Sequence, residues 1–229
     1  GQNLNSIDNQ TNTPVLIGDI NGTTMSQIGV FTDSATTTNL STTITLAAAN
    51  PLIGAGQTVT GSGIPSNTTV VSVSGTSVVI SNAATASATV TVTFNNNISV
   101  SGGVVALHPY VFVFGNNGLI QNCSAGNAQD WVSADANATN VASGKIVQGL
   151  AVRGGSNAPS GLFWSIDSVI RVSYNPTTIT SGATSITQYW RYDIISTQSS
   201  ILSSQSVIEY DGVYYWCGVD RFLLYNGVV

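Results

Sequence analysis

Few side chains in this 229-residue chain can transfer protons near neutral pH. His108 is the only histidine, Lys145 the only lysine and Glu209 the only glutamate. A Ser-His-Asp triad would therefore have to use His108. Because His108 precedes Pro109 at the start of an apolar run, and no Gly-x-Ser-x-Gly motif occurs, we predict a structural role for it. We expect no catalytic site and no enzyme activity.

A pair of carboxylates is the remaining route to catalysis, since two such groups can hydrolyse a glycosidic bond. The candidates are Asp167, Asp193, Glu209, Asp211 and Asp220. Asp167 and Asp220 fall in the turns of two similar hairpins, and Asp211-Gly212 is a turn dipeptide, so turn formation explains them better. A glycosidase of the β-propeller type is the enzymatic alternative.

Metal and cofactor motifs are also missing from the sequence. There is no Cys-x-x-Cys, no pair of histidines and no Asp-rich calcium loop. Gly144-Lys145 lacks both the upstream glycine and the following Ser or Thr of a phosphate-binding loop. We expect no metal and no cofactor. Cys123 and Cys217 are either two free thiols or one disulfide, and the sequence leaves both open.

Cations and tryptophans in the second half of the chain are candidates for contact with a partner. Arg171 and Arg221 both lie in the second run of a hairpin, where they could pair with Asp167 and Asp220 or anchor another protein. The candidate partner-contact residues are Arg153, Trp164, Arg171, Arg191, Trp216 and Arg221.

The charge distribution limits the possible partners. Only 7% of residues are charged, the net charge is −5, and no Lys, Arg, Asp or Glu occurs between Asp33 and Asp130. Five cations cannot form the basic stripe that nucleic-acid binding requires, so no sequence-specific nucleic-acid binding is expected. The apolar runs are too short to span a membrane, and none is expected as a partner.

An internal repeat with a period of about 51 residues organises the elements that carry these residues. Val111, Leu162 and Val213 are each 51 residues apart, and each lies in an apolar-aromatic run followed by a polar turn and a second apolar run. This is a β-hairpin pattern, and its period is typical of β-propeller blades. We predict an all-β, propeller-like repeat, partial or truncated. A β-sandwich with coincidentally spaced hairpins is the alternative.

A small β module interrupts this repeat. Residues 41–94 alternate Val with Thr or Ser, and Gly-Ser-Gly and Ser-Gly-Thr supply turns. We predict an inserted Ig-like module at 41–94, with residues 1–40 and 95–229 forming the propeller-like domain.

The repeat resembles a bacteriophage family. The segments Tyr110–Ile120, Gly161–Arg171 and Ser203–Leu223 are similar to the propeller part of tail-hub or stopper proteins of tailed phages, of the packaged-DNA stabilisation type. The resemblance covers roughly residues 100–229 together with the inserted module. It implies a structural protein of the virion that joins the portal or adaptor to the tail as one subunit of a ring.

The length of the chain departs from that family, whose members are much longer. Three or four blades do not close a propeller, so we expect either a partial chain or blades supplied from elsewhere. An uncovered sheet face or edge then predicts a homo-oligomer held by uncharged polar and aromatic surfaces. The alternative function is a carbohydrate-binding or receptor-binding propeller or adhesin, and glycan binding that depends on Trp164 or Trp216 would favour it.

Overall fold

The structure, a computed structural model, describes residues 16–18, 25–152 and 158–226. Strands make up 55% of it, and the described residues contain no α-helix. Their helical turns are two short 3-10 turns at Asn116–Gly118 and Ser204–Ser206, and neither could cross a bilayer. The all-β prediction is confirmed. Its physical basis is the abundance of β-branched residues, which fit a pleated surface better than a helix.

The described chain divides into two compact units. The first holds residues 16–18, 25–98 and 127–133, and the second holds residues 99–126, 134–152 and 158–226. The first unit begins with a two-stranded sheet of β1 (Leu16–Gly18) and β2 (Met25–Gln27).

Most of the first unit is a closed, antiparallel, six-stranded barrel with the strand order β3-β4-β7-β6-β5-β8. Its strands are β3 (Val30–Thr37), β4 (Thr43–Leu46), β5 (Thr58–Gly61), β6 (Thr68–Ser74), β7 (Ser77–Ile80) and β8 (Ala88–Asn95). Along β8, Val92 and Phe94 point into the core while Thr91 faces outward, which explains the alternation of Val and Thr. Closure leaves no free strand edge in a segment that has almost no charge to protect one.

The barrel differs from the predicted module in form and in extent. Its strands close into one barrel, whereas an Ig-like module would be two packed sheets. It also begins at Val30, because β3 pairs with β8 from Val30↔Asn95 to Thr37↔Ala88. The alternation is hard to detect in β3 because its buried positions include Thr37, whose hydroxyl donates hydrogen bonds to the Ala86 and Ala88 carbonyls.

The second unit consists of three antiparallel sheets that follow one another along the chain. In each sheet the neighbouring strands are also consecutive in sequence. The first sheet contains β9 (Gly103–Leu107), β10 (Tyr110–Phe114), β11 (Leu119–Asn122) and β12 (Asn137–Asn140). The second contains β13 (Ile146–Ala151), β14 (Ser160–Ser165), β15 (Val169–Ser181) and β16 (Thr184–Ser196). The third contains β17 (Val207–Tyr210), β18 (Val213–Cys217) and β19 (Phe222–Tyr225).

The repeated hairpins occupy equivalent places in these sheets. Val111, Leu162 and Val213 lie in β10, β14 and β18, which are the second strands of the first, second and third sheets. Each is paired with the preceding strand and with the following one. The sequence period therefore corresponds to a structural repeat of one sheet.

Aromatic side chains connect the three sheets in series. Phe112 of the first sheet lies 6.0 Å from Phe163 and 4.8 Å from Trp190 of the second, measured between ring centroids. On the opposite face of the second sheet, Trp164 lies 5.7 Å from Trp216 of the third. We call the face of a sheet toward the preceding sheet its N-side face, and the opposite one its C-side face. The inner part of the second sheet is thus covered on both faces, which explains why β14 is buried at nearly every position.

Close packing of the sheets requires glycine at Gly149 in β13. A Cβ atom at this position would lie 2.8 Å from the Phe163 ring and 2.9 Å from the Phe114 ring. The hydrogen atom that replaces a side chain here lets aromatic rings of two sheets meet over the β13 backbone.

Candidate functional site

The two tryptophans predicted to contact a partner lie in the core. Trp164 is 0% exposed and Trp216 is 5% exposed, and both belong to the cluster between the second and third sheets. The Trp216 indole N–H donates a hydrogen bond to the Ser200 carbonyl at 3.1 Å. Their side chains hold sheets together and present no surface for a glycan or another protein.

The predicted arginines are in different environments. Arg153 lies outside the described residues. Arg191 and Arg221 are exposed and form ion pairs, with Asp193 at 2.8 Å and with Asp220 at 2.6 Å. Arg171 is half-buried on β15 opposite Asp193 of β16, and its Nε atom has no hydrogen-bond partner among the described residues.

Of the two ion pairs suggested by the sequence, Arg221–Asp220 forms and Arg171–Asp167 does not form among the described residues. Arg221 pairs with Asp220, its neighbour in sequence, and this contact lowers the pKa of the Asp220 carboxyl. Asp167 instead accepts a hydrogen bond from the Ser165 hydroxyl at 2.6 Å, and no ion pair joins it to Arg171 within the described residues. Neither arrangement ties one sheet to another.

The residues considered for catalysis have local structural contacts. Glu209 accepts a hydrogen bond from the Gly212 N–H at 2.9 Å, and Asp211 adopts a positive φ of 50° in the same turn. His108 is exposed beside Pro109. No cluster of three or more His, Cys, Asp or Glu side chains suited to a metal ion occurs among the described residues.

The cysteines, left open by the sequence, are not joined in a disulfide. Cys123 is buried, and its Sγ atom accepts a hydrogen bond from the Val111 N–H at 3.1 Å. Cys217 is half-buried in β18.

The C-side face of the third sheet is an exposed apolar surface that sequence reasoning did not assign to named residues. Its cross-strand pairs Ile208↔Tyr215 and Tyr215↔Leu224 place a row of apolar side chains across all three strands. We call this surface the terminal face. Its five large side chains are Ile208, Tyr210, Tyr215, Phe222 and Leu224.

Exposure distinguishes the terminal face from the corresponding surfaces of the other sheets. Its five side chains are between 41% and 87% exposed, whereas Trp164 on the C-side face of the second sheet is fully buried. At about 150–250 Å² for a fully exposed large side chain, the terminal face presents on the order of 600 Å² of surface. This is at the upper end of the roughly 300–600 Å² found for the largest apolar patch of a monomeric protein, and such patches mark interaction sites.

A two-stranded ribbon extends the second sheet. The outer halves of β15 and β16 (residues 175–188) pair from Thr177↔Gln188 to Ser181↔Thr184 and are exposed along their whole length. We call this ribbon the arm; it contains no charged residue. One of its faces is linked by hydroxyl contacts, with Thr178 Oγ1 3.0 Å from Thr187 Oγ1. The other face carries the cross-strand pair Ile179↔Ile186.

The isoleucine face of the arm continues the N-side face of the second sheet. Side chains alternate along a strand, so Ile186 and Gln188 share a face with Trp190, which packs against the first sheet. An extra residue in β15 between Tyr174 and Thr177 shifts the register where the arm begins.

A cleft of about 410 Å³ opens between the arm and the start of β12. Ile179 and Ile186 line it from the arm, and Ala136 and Asn137 from the first sheet, with Trp190 between them. We call it the arm cleft. Asp135 is the one charged residue in its lining.

A half-buried tyrosine, Tyr192, and a buried one, Tyr110, contact residues that line the arm cleft. The Tyr192 hydroxyl accepts a hydrogen bond from Asn137 Nδ2 at 3.0 Å. Burial raises the pKa of Tyr192 to about 12, although this hydrogen bond acts in the opposite direction. Burial also raises the pKa of Tyr110 well above its usual range, and its interactions with Tyr174 and Asp135 add to the effect. Both phenols therefore stay protonated well into the alkaline range.

The sequence contained a partial signal for the terminal face. β18 and β19 are apolar at almost every position, which predicts strands with two covered faces. That pattern cannot tell which of the two faces the chain itself covers. The arm gave no signal, because its Thr and Ser residues resemble those of an ordinary surface strand.

Comparison of the chain with protein-family models, with curated proteins and with solved structures yields no match.

Proposed function

We propose that this chain is a structural protein of a bacteriophage virion, a head-to-tail connector component of the tail-hub or stopper kind. Its three sheets act as successive blades of a propeller-like repeat. In this role it works as a homo-oligomer that also contacts portal or adaptor proteins and tail proteins. It uses no cofactor, does not read DNA sequence and does not insert into a membrane.

The terminal face is the observation that carries the proposal. Each preceding contact between sheets is made by large apolar side chains, and the third sheet offers one more such surface with nothing of the described chain upon it. An exposed apolar face on this scale favours a protein that works inside an assembly. The sequence resemblance to phage connectors supplies the kind of assembly.

The carbohydrate-binding alternative has weaker support. It depended on Trp164 or Trp216 meeting a glycan, and both rings are buried between sheets. Glycan binding by the purified chain, abolished by a substitution in an exposed aromatic such as Tyr210, would restore this alternative.

Assembly of the purified chain is the first test. Light scattering and negative-stain microscopy should reveal a ring of defined stoichiometry rather than a monomer. The double substitution Ile208→Thr with Leu224→Thr should weaken assembly of the ring, because the two changes remove apolar area from the terminal face. Val71→Thr is the matched control, since Val71 is 54% exposed on the barrel.

Location in the virion is the second test. Antibodies against the chain should label intact phage particles at the junction of head and tail. Mass spectrometry of purified particles gives a second readout. If the particles lack the chain while the same lysate contains it in soluble form, the proposal is contradicted.

A further inference from the structure

We infer that the terminal face of one copy binds the arm and the arm cleft of a second copy, in a head-to-tail contact that repeats around the assembly. The inference rests on the proposed function, because it identifies the neighbour and the contact surface within the proposed homo-oligomer. The occupant of the terminal face is thus a second copy of this chain.

The order of the sheets gives the first reason. Within the chain, the C-side face of the first sheet is covered by the N-side face of the second, and the C-side face of the second by the N-side face of the third. The terminal face is an uncovered C-side face. The isoleucine face of the arm is an uncovered N-side face. A second copy can therefore continue the same relation between faces.

The shapes give the second reason. Phe222 is 87% exposed at the start of β19, which is an edge strand of the third sheet, so its ring projects from the terminal face. The arm cleft has a volume of about 410 Å³ and contains Ile179, Ile186 and Trp190 in its lining. An apolar cavity of about 150 Å³ is enough to hold benzene, so the arm cleft can receive the Phe222 ring.

Charge gives the third reason. Neither the five side chains of the terminal face nor residues 175–188 include a charged residue, and Asp135 is the one charged residue that lines the arm cleft, so little charge repulsion opposes the contact. The two charged groups nearest Phe222 in sequence, Asp220 and Arg221, neutralise each other in an ion pair. The terminal face alone offers on the order of 600 Å², close to the roughly 800 Å² per partner of a standard interface.

A contact between two different surfaces predicts complementation between two defective variants. Phe222→Asp damages the terminal face and leaves the arm intact, whereas Ile186→Asp damages the arm and leaves the terminal face intact. Both residues are well exposed, so both variants should fold with nearly unchanged thermal stability. Val71→Asp on the barrel is the control.

Analytical ultracentrifugation of each variant alone and of an equimolar mixture tests the inference. Each single variant should raise the dissociation constant at least about 30-fold, the loss expected for one hot-spot side chain. The mixture should give a 1:1 heterodimer with wild-type affinity at its single intact contact, and it should not form rings. Val71→Asp should assemble like the wild type.

Two other outcomes separate the inference from the proposed function. A wild-type oligomer that Phe222→Asp disrupts but Ile186→Asp does not would overturn the inference alone, because it indicates terminal faces paired with each other. A wild-type chain that remains monomeric at every concentration tested would overturn both the inference and the assembly proposed above.

Discussion

At the scale of single residues, aromatic side chains form many of the contacts between sheets. Trp190 meets Tyr110, Phe112 and Tyr174 edge to face, with centroid distances of 4.8, 4.8 and 5.3 Å. Edge-to-face contact sets the positive rim of one ring against the negative face of another, and it is worth about 0.5–1.5 kcal/mol beyond area burial. These rings therefore fix how neighbouring sheets are oriented as well as how tightly they pack.

The two most buried tryptophans differ in hydrogen bonding, which leads to a matched prediction. Trp190 Nε1 donates to the Asp135 carbonyl at 3.2 Å, whereas Trp164 Nε1 has no partner among the described residues. Both substitutions to Phe create similar cavities, but only Trp190→Phe also loses a hydrogen bond. We expect Trp190→Phe to lower the free energy of unfolding by about 0.5–1.5 kcal/mol more than Trp164→Phe.

Urea denaturation of the two variants measures this difference, with Trp164→Ala as a reference that should cost about 3–5 kcal/mol. Equal losses for Trp190→Phe and Trp164→Phe would mean that the Trp190 hydrogen bond does not contribute to stability.

Tyr192 predicts a loss of stability at alkaline pH. Its pKa is raised from 10.0 to about 12 in the folded protein. Below pH 10 both states keep the proton and the contribution is constant; between pH 10 and 12 only the unfolded state ionises, so the free energy of unfolding falls. The fall should reach about 2–3 kcal/mol for this group, at 1.36 kcal/mol per pKa unit.

Tyr192→Phe should reduce that fall, measured as the difference in unfolding free energy between pH 9 and pH 11.5. Tyr110 acts in the same direction and remains in the variant, so some loss should persist. Substitution of the exposed Tyr210 by Phe is the control. An unchanged pH dependence in Tyr192→Phe would argue against burial of the phenol.

At the scale of elements, β14 and the arm lie at opposite extremes of burial within one sheet. β14 is buried along almost its whole length, whereas residues 175–188 are exposed on both faces. A two-stranded ribbon without a covering layer is only marginally stable in water. The second sheet therefore combines a rigid centre with a weakly held extension.

Hydrogen exchange should resolve these two parts. We expect the amides of Thr178 to Thr187 to exchange at least about 100-fold faster than those of Leu162 to Trp164 in a monomeric sample, because few buried contacts oppose local opening. Assembly through the arm should slow exchange there, whereas exchange in β14 should not change. An arm that is equally protected in monomer and oligomer would contradict this expectation.

The sequence predicted the elements better than it predicted their faces. The repeat of Val111, Leu162 and Val213 located the second strand of each sheet, because β18 and its equivalents combine aromatic and β-branched residues over a short run. Trp164 was a candidate for contact with a partner but is buried between sheets, since a tryptophan suits a core and an interface equally well. Which faces meet depends on how whole sheets pack, and local sequence does not encode that.

The barrel illustrates the same limit. Its Val and Thr alternation predicted strands correctly, but alternation is identical for a barrel and for a sandwich, since both cover one face of each strand. Closure depends on β3 pairing with β8 across more than fifty residues of chain, and no motif in either strand specifies it.

At the scale of the whole molecule, scarcity of charge governs how the protein meets other proteins. No charged residue occurs between Asp33 and Asp130, and the described ion pairs Arg191–Asp193 and Arg221–Asp220 are exposed and local. Exposed pairs of this kind contribute about 0–1 kcal/mol. Association must therefore depend mainly on apolar and hydroxyl-bearing surfaces.

Assembly should consequently depend only weakly on salt. Between about 50 and 500 mM NaCl, where the screening length falls from roughly 14 to 4 Å, the association constant should change less than about tenfold. Light scattering across this range measures it. Dissociation on adding salt would instead indicate that arginines such as Arg171, Arg191 and Arg221 carry the contacts.

The serial order of the sheets also matters during synthesis on the ribosome. Tyr110, Phe112 and Phe114 are covered by side chains of the second sheet, which is complete only at Ser196. At typical translation rates, the nascent first sheet waits roughly 3–11 s after β12 before its cover has been made. During that interval these three aromatic rings are exposed to solvent, and chaperones or other nascent chains can bind them. We therefore expect slow codons between β12 and β16 to lengthen the interval and to lower the amount of soluble protein that forms.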